Sequence, residues 1–121
     1  MPEFVEEVKR LEKGVKIDVS AEVSDLNILE VSFKSTGLCG GDWGSGSRHL
    51  LTIADLASTG WMVRVTTQNG EEIVVDQPAK VEILFGGDAE LRTLLKALKL
   101  VLRFTEEGMQ REEGVKARVQ L

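Results

Sequence analysis

The chain has 121 residues, 42% of them hydrophobic and 29% charged, which is typical of one globular domain and excludes a disordered segment or a fibre. Its formal net charge of −5 argues against a nucleic-acid binder that works by general charge neutralisation. A single cysteine, a charged N-terminus and the lack of a long apolar run lead us to expect a cytoplasmic protein with no membrane association.

The first third of the sequence predicts a short helix followed by two strands. Residues 3–13 have the periodicity of an amphipathic helix, which Gly14 ends. Residues 15–23 and 29–33 alternate apolar and polar side chains, as half-buried strands do, and a turn at residues 24–25 separates them. The helix carries three large apolar residues on one stripe: Phe4, Val8 and Leu11.

The middle of the sequence predicts two strands, a hairpin and one further strand. Residues 49–56 read as one strand, and residues 61–67 read as the next. Asn69-Gly70 tolerates the positive φ angles of a type I′ turn, so we expect a two-residue hairpin that joins strands 61–67 and 72–76. Residues 80–85 supply another short strand.

A long helix is expected from Asp88 to Glu107, with Asp88 as its N-cap after a capped turn at Gly86-Gly87. Residues 114–121 alternate as an edge strand or form a tail. The sequence therefore predicts one α+β domain over residues 1–121. We expect a mostly antiparallel sheet of about five to seven strands, with the long C-terminal helix packed on one face and the short N-terminal helix beside it.

The apolar arc of the long helix is wider than one sheet face can cover. Six residues share one side of the helix: Leu91, Leu94, Leu95, Leu98, Val101 and Leu102. Ala97, Leu100 and Phe104 extend this arc. Either the N-terminal helix or a partner subunit is expected to cover Leu100 and Phe104, and we expect a homo-oligomer because exposed apolar patches of this extent mark interfaces.

A basic stripe occupies the remaining side of the same helix. Four cations form it: Arg92, Lys96, Lys99 and Arg103. It is interpreted as a solvated face, with an anion or nucleic-acid contact as the alternative. Since no aromatic residue lies between the four cations, the usual platform for stacking single-stranded bases is missing, and a nucleic-acid partner is disfavoured.

The segment 38–49, LCGGDWGSGSRH, is the candidate functional site, because it holds the only cysteine, the only histidine and four glycines. It is not a P-loop, since Ser47 stands at the lysine position and a strand follows. We interpret it as a site for a small anionic or nucleotide-like ligand, with Arg48 as the charge contact and Trp43 stacking on a ring. The alternative is a structural turn, tied by an Asp42–Arg48 pair. The candidate ligand-binding residues are Gly40, Gly41, Trp43, Ser45, Gly46, Ser47, Arg48 and His49.

Enzymatic chemistry ranks last among the functional hypotheses. Cys39 and His49, oriented by Asp42, have the residue types of a thiol enzyme, and Ser45 or Ser47 with His49 is a serine variant. One cysteine and one histidine are too few for a zinc site, so no metal or cofactor is predicted. The leading hypothesis is a non-enzymatic binding module that uses the glycine-rich loop. The alternative is an oligomeric interaction or regulatory protein that acts through the long helix or the acidic surface.

Overall fold

The computed structural model describes residues 3–41, 46–111 and 114–120. It confirms the α+β class, with two helices and six strands in the described residues. The elements in chain order are α1 (Phe4–Lys13), β1 (Ile17–Ser24), β2 (Ile28–Ser35), β3 (Arg48–Ala57), β4 (Met62–Thr66), β5 (Glu72–Asp76), β6 (Lys80–Gly86) and α2 (Asp88–Gln110). Residues 114–120 have no assigned strand, so the C-terminal segment is a tail there.

Four strands form one antiparallel sheet in the order β1-β2-β3-β6, and β4 pairs only with β5 in a separate hairpin. The register aligns Val19 with Phe33, Phe33 with Leu51 and Leu51 with Ile83, in a row across all four strands. Strict alternation along each strand keeps such rows on the same side of the sheet. The pattern seen in the sequence therefore collects most of the apolar residues of the sheet on a single face.

The central rows of this apolar face have no charged member, while Ser35, His49 and Asp55 share the face at its ends. The apolar members of the face are Ile17, Val19, Ala21, Val23, Leu29, Val31, Phe33, Leu51, Ile53, Val81, Ile83 and Phe85. The opposite face carries Arg48 and Leu50, and α1 contacts β3 there, with Glu7 paired to the Arg48 guanidinium. The helix thus lies on the more polar side of the sheet. Most of the apolar face stays half or fully exposed.

The buried apolar core is correspondingly small. Among the described residues it consists of Leu11, Leu50 and Leu91. The expectation that α2 packs along a sheet face is corrected, because α2 contacts β6 and four apolar side chains on one of its sides are 44–62% exposed. We call these residues the helix stripe: Leu95, Leu98, Val101 and Leu102.

The C-terminal tail covers the other apolar side of α2. Leu100 and Phe104 line a groove together with three tail residues, Val115, Ala117 and Val119. Both residues are half-buried as a result. The sequence analysis expected either the N-terminal helix or a partner subunit to cover Leu100 and Phe104. In the structure the C-terminal tail lies beside them instead.

The β4–β5 hairpin confirms the two predicted strands but not the predicted turn. The Thr67 N–H donates to the Glu71 carbonyl at 2.7 Å, which extends the ladder and leaves a three-residue loop. Only Gly70 in this loop has a positive φ, 89°, and its N–H bonds the Thr67 carbonyl. This is the pattern of a type I turn followed by a glycine bulge, so a two-residue type I′ tip was wrong.

Both predicted helices are present, with one correction. α1 ends at Gly14 as expected, but the N-cap of α2 is Gly87 and Asp88 is its first residue. The Asp88 carboxylate accepts hydrogen bonds from outside the helix instead. No described helix has the length and apolar character needed to cross a membrane.

Candidate functional site

The glycine-rich loop joins β2 to β3 and meets the start of α2. Of the candidate ligand-binding residues, Gly40 and Gly46 are half-buried and Gly41 is exposed. Ser47, Arg48 and His49 are at most 1% exposed. Trp43 and Ser45 lie outside the described residues, as does Asp42. The structure thus brings three of the predicted side chains together, in the interior.

His49 is held by hydrogen bonds on both ring nitrogens. Its Nδ1 lies 2.8 Å from the Ser35 hydroxyl, and its Nε2 lies 3.0 Å from the Gly87 carbonyl and 3.1 Å from the Ser47 hydroxyl. A carbonyl can only accept, so Nε2 carries the proton and Nδ1 accepts from Ser35. Burial lowers the pKa of His49 below 6.5, which favours this neutral form.

Asp88 ties the loop to the first turn of α2. One carboxylate oxygen accepts from the Ser47 hydroxyl at 2.6 Å, and the other accepts from the Gly40 N–H at 3.0 Å. The Ser47 bond, with the Gly40 bond and the nearby Arg92 charge, holds the pKa of Asp88 below 3.8. The two carboxylate oxygens of Asp88 therefore hold one backbone group of the loop, the Gly40 N–H, and one side chain, the Ser47 hydroxyl. We call Ser35, Ser47, His49 and Asp88 the polar cluster.

Gly87, whose carbonyl bonds His49, lies next to the polar cluster at a position where no larger residue fits. Its N–H donates to the Ser47 carbonyl at 2.9 Å, and its φ is 121°. A Cβ atom on Gly87 would come within 2.9 Å of the Gly41 carbonyl oxygen and still closer to the Glu90 carboxylate. The close approach of two backbone segments therefore requires glycine here.

Arg48 is paired within the chain. Its Nε donates to a Glu7 carboxylate oxygen at 2.5 Å, and its Nη1 donates to the carbonyls of Gly46 and Ser47 at 3.0 Å each. Arg10 also lies 3.9 Å from the same Glu7 oxygen. The guanidinium thus joins α1 to the end of the loop, so its charge and several of its donors are used inside the protein.

The polar cluster contains the residue types of a serine hydrolase without an accessible nucleophile. Ser35 and Ser47 both lie within hydrogen-bond reach of His49, but both are 0% exposed, so no substrate reaches their hydroxyls. Cys39 is exposed and donates to the Thr36 carbonyl at 3.2 Å, whereas His49 bonds other groups. The described geometry is that of a structural lock between β2, β3, the loop and α2.

Sequence reasoning missed Ser35, Glu7 and the role of Asp88. Ser35 continues the alternation of β2 at a position that faces inward, so a hydroxyl in an otherwise apolar series was the available signal. Glu7 and Asp88 gave no such signal, because acidic residues in first helical turns are common. Within residues 3–41, 46–111 and 114–120, no group of three His, Cys, Asp or Glu side chains is placed to hold a metal ion.

Comparison with known proteins identifies no relative: no protein family, curated protein or solved structure matches the chain.

Proposed function

We propose that this chain is an oligomeric interaction protein whose subunit completes its core against other copies of itself. The observation that carries the proposal is the accessible surface of 9220 Å². A compact monomer of 13.3 kDa exposes about 6,500 Å² by the usual scaling of surface with mass. The chain therefore exposes about 2,700 Å² more than a compact monomer of its mass.

Three exposed apolar surfaces contribute to this excess. The first is the apolar face of the sheet, and the second is the helix stripe. The third is one side of the β4–β5 hairpin, where Val63 pairs with Val75 and Val65 pairs with Ile73. A two-stranded hairpin is marginally stable in water by itself, and a single sheet layer needs a second layer on its apolar side. All three surfaces gain stability from burial against another subunit.

The excess lies slightly above what one subunit of a permanent interface between identical subunits usually buries. Obligate homodimers bury roughly 2,000–5,000 Å² in total, which is about 1,000–2,500 Å² per subunit, and their interfaces resemble a domain core cut in half. The apolar face resembles such a core, because its central rows are continuous across four strands and have no charged member. Transient contacts bury less and are more polar. A second copy of the chain is therefore the partner that fits.

The test is the mass in solution with a matched pair of variants. Val19 and Ser20 are neighbours on β1, both exposed, and point to opposite sides of the sheet. Val19→Glu places a charge on the apolar face, and Ser20→Glu places the same charge on the polar face. Sedimentation equilibrium is expected to give a multiple of 13.3 kDa for the wild type and for Ser20→Glu, and a weakened assembly for Val19→Glu.

A wild-type mass of 13.3 kDa at high micromolar concentration would overturn the proposal. Equal dissociation of Val19→Glu and Ser20→Glu would show that the apolar face is not the interface. The binding of an anionic or nucleotide-like ligand to the glycine-rich loop stays a prediction. Its described candidates with side-chain donors, Ser47, Arg48 and His49, all bond groups of the chain itself.

A further inference from the structure

The helix stripe is the least covered side of α2 in the described chain: it carries no charge, and the groove of the C-terminal tail reaches only Val101 at its edge. Around the helix axis, Leu100 and Phe104 face the C-terminal tail. The basic stripe occupies a second side, with Arg92, Lys96, Lys99 and Arg103. The stripe occupies the third side, and it continues the row that begins at the buried Leu91 and the half-buried Leu94. The row is therefore covered by its own chain at its start, and its members from Leu95 onward are 44–62% exposed.

The apolar face has the right size to receive this stripe. From Leu95 to Leu102 the stripe rises about 10 Å along the helix axis. The four strands span about 14 Å from the first to the last, at their usual spacing of about 4.8 Å, and the strands are longer than that. The stripe fits within the sheet in either direction. The centre of the receiving surface offers half-buried or exposed Val and Ile side chains together with Phe33, and the polar residues of this face, among them Asp55, lie at its ends.

We infer that the helix stripe of one copy packs on the apolar face of a second copy. This inference rests on the proposed function and specifies its interface. A contact of helix with sheet covers both unpartnered surfaces at once, whereas packing of sheet on sheet would leave both helix stripes in water. Because every copy carries one stripe and one apolar face, two copies related by a twofold axis form two identical contacts.

The test is disulfide formation between two different chains. The exposed Cys39, the chain's only cysteine, is first removed by Cys39→Ser. One chain then carries Leu98→Cys and a purification tag, and an untagged chain carries Val31→Cys at the centre of the apolar face. The two chains are mixed, allowed to exchange and oxidised. A disulfide forms only when the two Cα atoms approach within about 7 Å, so the expected product is a tagged–untagged dimer.

The chain offers a matched control at each position. Lys99→Cys replaces Leu98→Cys on the next residue of the helix, which faces the basic side. Ser32→Cys replaces Val31→Cys on the next residue of β2, which is equally half-buried but faces the other side of the sheet. The mixed product from the test pair is expected at least about tenfold faster than from either control pair, because residues held together react at millimolar effective concentration.

Three outcomes overturn the inference. The first is tagged dimers alone, which place helix against helix, and the second is untagged dimers alone, which place sheet against sheet. The third comes from a further variant that carries both Leu98→Cys and Val31→Cys, in which an intrachain disulfide would place the stripe on the sheet of its own chain. The mass of the unoxidised mixture separates the two proposals. A monomeric mixture refutes the proposed function itself. An assembled mixture without the mixed product refutes only this arrangement of the helix on the sheet.

Discussion

His49 is the residue at which the loop, two strands and α2 are joined, and its environment makes the protein sensitive to acid. The neutral ring accepts from Ser35 and donates towards Gly87 and Ser47, as described above. If Nδ1 took up a proton, it would become a donor that points at the Ser35 hydroxyl, which is itself a donor in this bond. The hydroxyl would have to rotate before the bond could form again. Protonation therefore requires both desolvation of a charge and rearrangement of a buried hydrogen bond.

Stability is expected to fall as the pH drops below 6.5. The pKa of His49 is lowered in the folded protein, so below 6.5 the unfolded chain binds a proton that the folded chain does not. The stabilisation is complete above 6.5 and is lost progressively below it. A second loss follows below pH 3.8, because the lowered pKa of Asp88 acts in the same direction. The measurement is the free energy of unfolding in urea at fixed protein concentration, at pH 7.5 and 5.5.

The control for this prediction is His49→Gln, which keeps a donor near Nε2 and cannot titrate. Since the chain has one histidine, the change between pH 7.5 and 5.5 is expected to flatten in this variant, whatever its absolute stability. An identical pH dependence in wild type and variant would assign the effect to carboxylates instead.

Arg48→Ala is expected to destabilise the protein by about 1.5–3 kcal/mol, the usual worth of hydrogen bonds to a charged group. The change removes the bond to Glu7 and two bonds to loop carbonyls. Urea unfolding measures it, with Arg64→Ala as the control, because Arg64 is exposed on the hairpin and the change there stays within about 0.5 kcal/mol. If Arg48→Ala left the stability unchanged but abolished the binding of inorganic phosphate, the result would instead show that Arg48 contacts a ligand.

At the scale of elements, the sequence was informative wherever the pattern is local. Alternation located β1 and β2 to within two residues, the strand predicted at residues 49–56 located β3 equally well, and the glycine after Lys13 placed the end of α1. The helix stripe was also visible as a row of leucines. Its surroundings were not, because the partner of an apolar row depends on the path of the whole chain. Periodicity states that a face is apolar and does not state which surface covers it.

The polar cluster was less predictable for the same reason. Ser35 and His49 are 14 residues apart, and Ser47 and Asp88 are 41 apart, so only the strand register and the start of α2 bring them together. The sequence marked the loop through its rare residues and its glycines. It gave no means of distinguishing donors aimed at a ligand from donors aimed at Asp88 and Gly87.

The hairpin turn gives a prediction at this scale. Gly70→Val is expected to cost about 1–2 kcal/mol, because a β-branched residue resists the φ of 89° that the bulge requires. Gly60→Val is the matched control, since a Cβ at Gly60 also meets open space and its φ is not positive. The midpoint of urea unfolding measures both. Equal midpoints for the two variants would contradict the conformation assigned to Gly70.

At the scale of the whole molecule, the balance of surfaces determines how the fold is stabilised. A domain of 121 residues normally gains its stability from one continuous core, whereas here the buried apolar residues of the described chain are few and lie on different elements. The polar cluster and the Arg48–Glu7 pair fix the arrangement of β3, α1 and α2. Apolar burial sufficient for a stable fold is then expected to come from subunit contacts, so folding and assembly are coupled.

Coupled folding and assembly predict that the melting temperature rises with protein concentration. Two copies unfolding together absorb about 170 kcal/mol, at roughly 0.7 kcal/mol per residue, so a tenfold increase in concentration raises Tm by about 3 °C. Thermal unfolding followed by circular dichroism from about 1 to about 100 µM would therefore show a rise of about 6 °C. Ser20→Glu is expected to keep this dependence, and Val19→Glu is expected to lower Tm most at the dilute end, where assembly is weakest. A wild-type Tm that stays constant over the whole range would mean that the single chain is stable alone, and that its apolar face is not needed for folding.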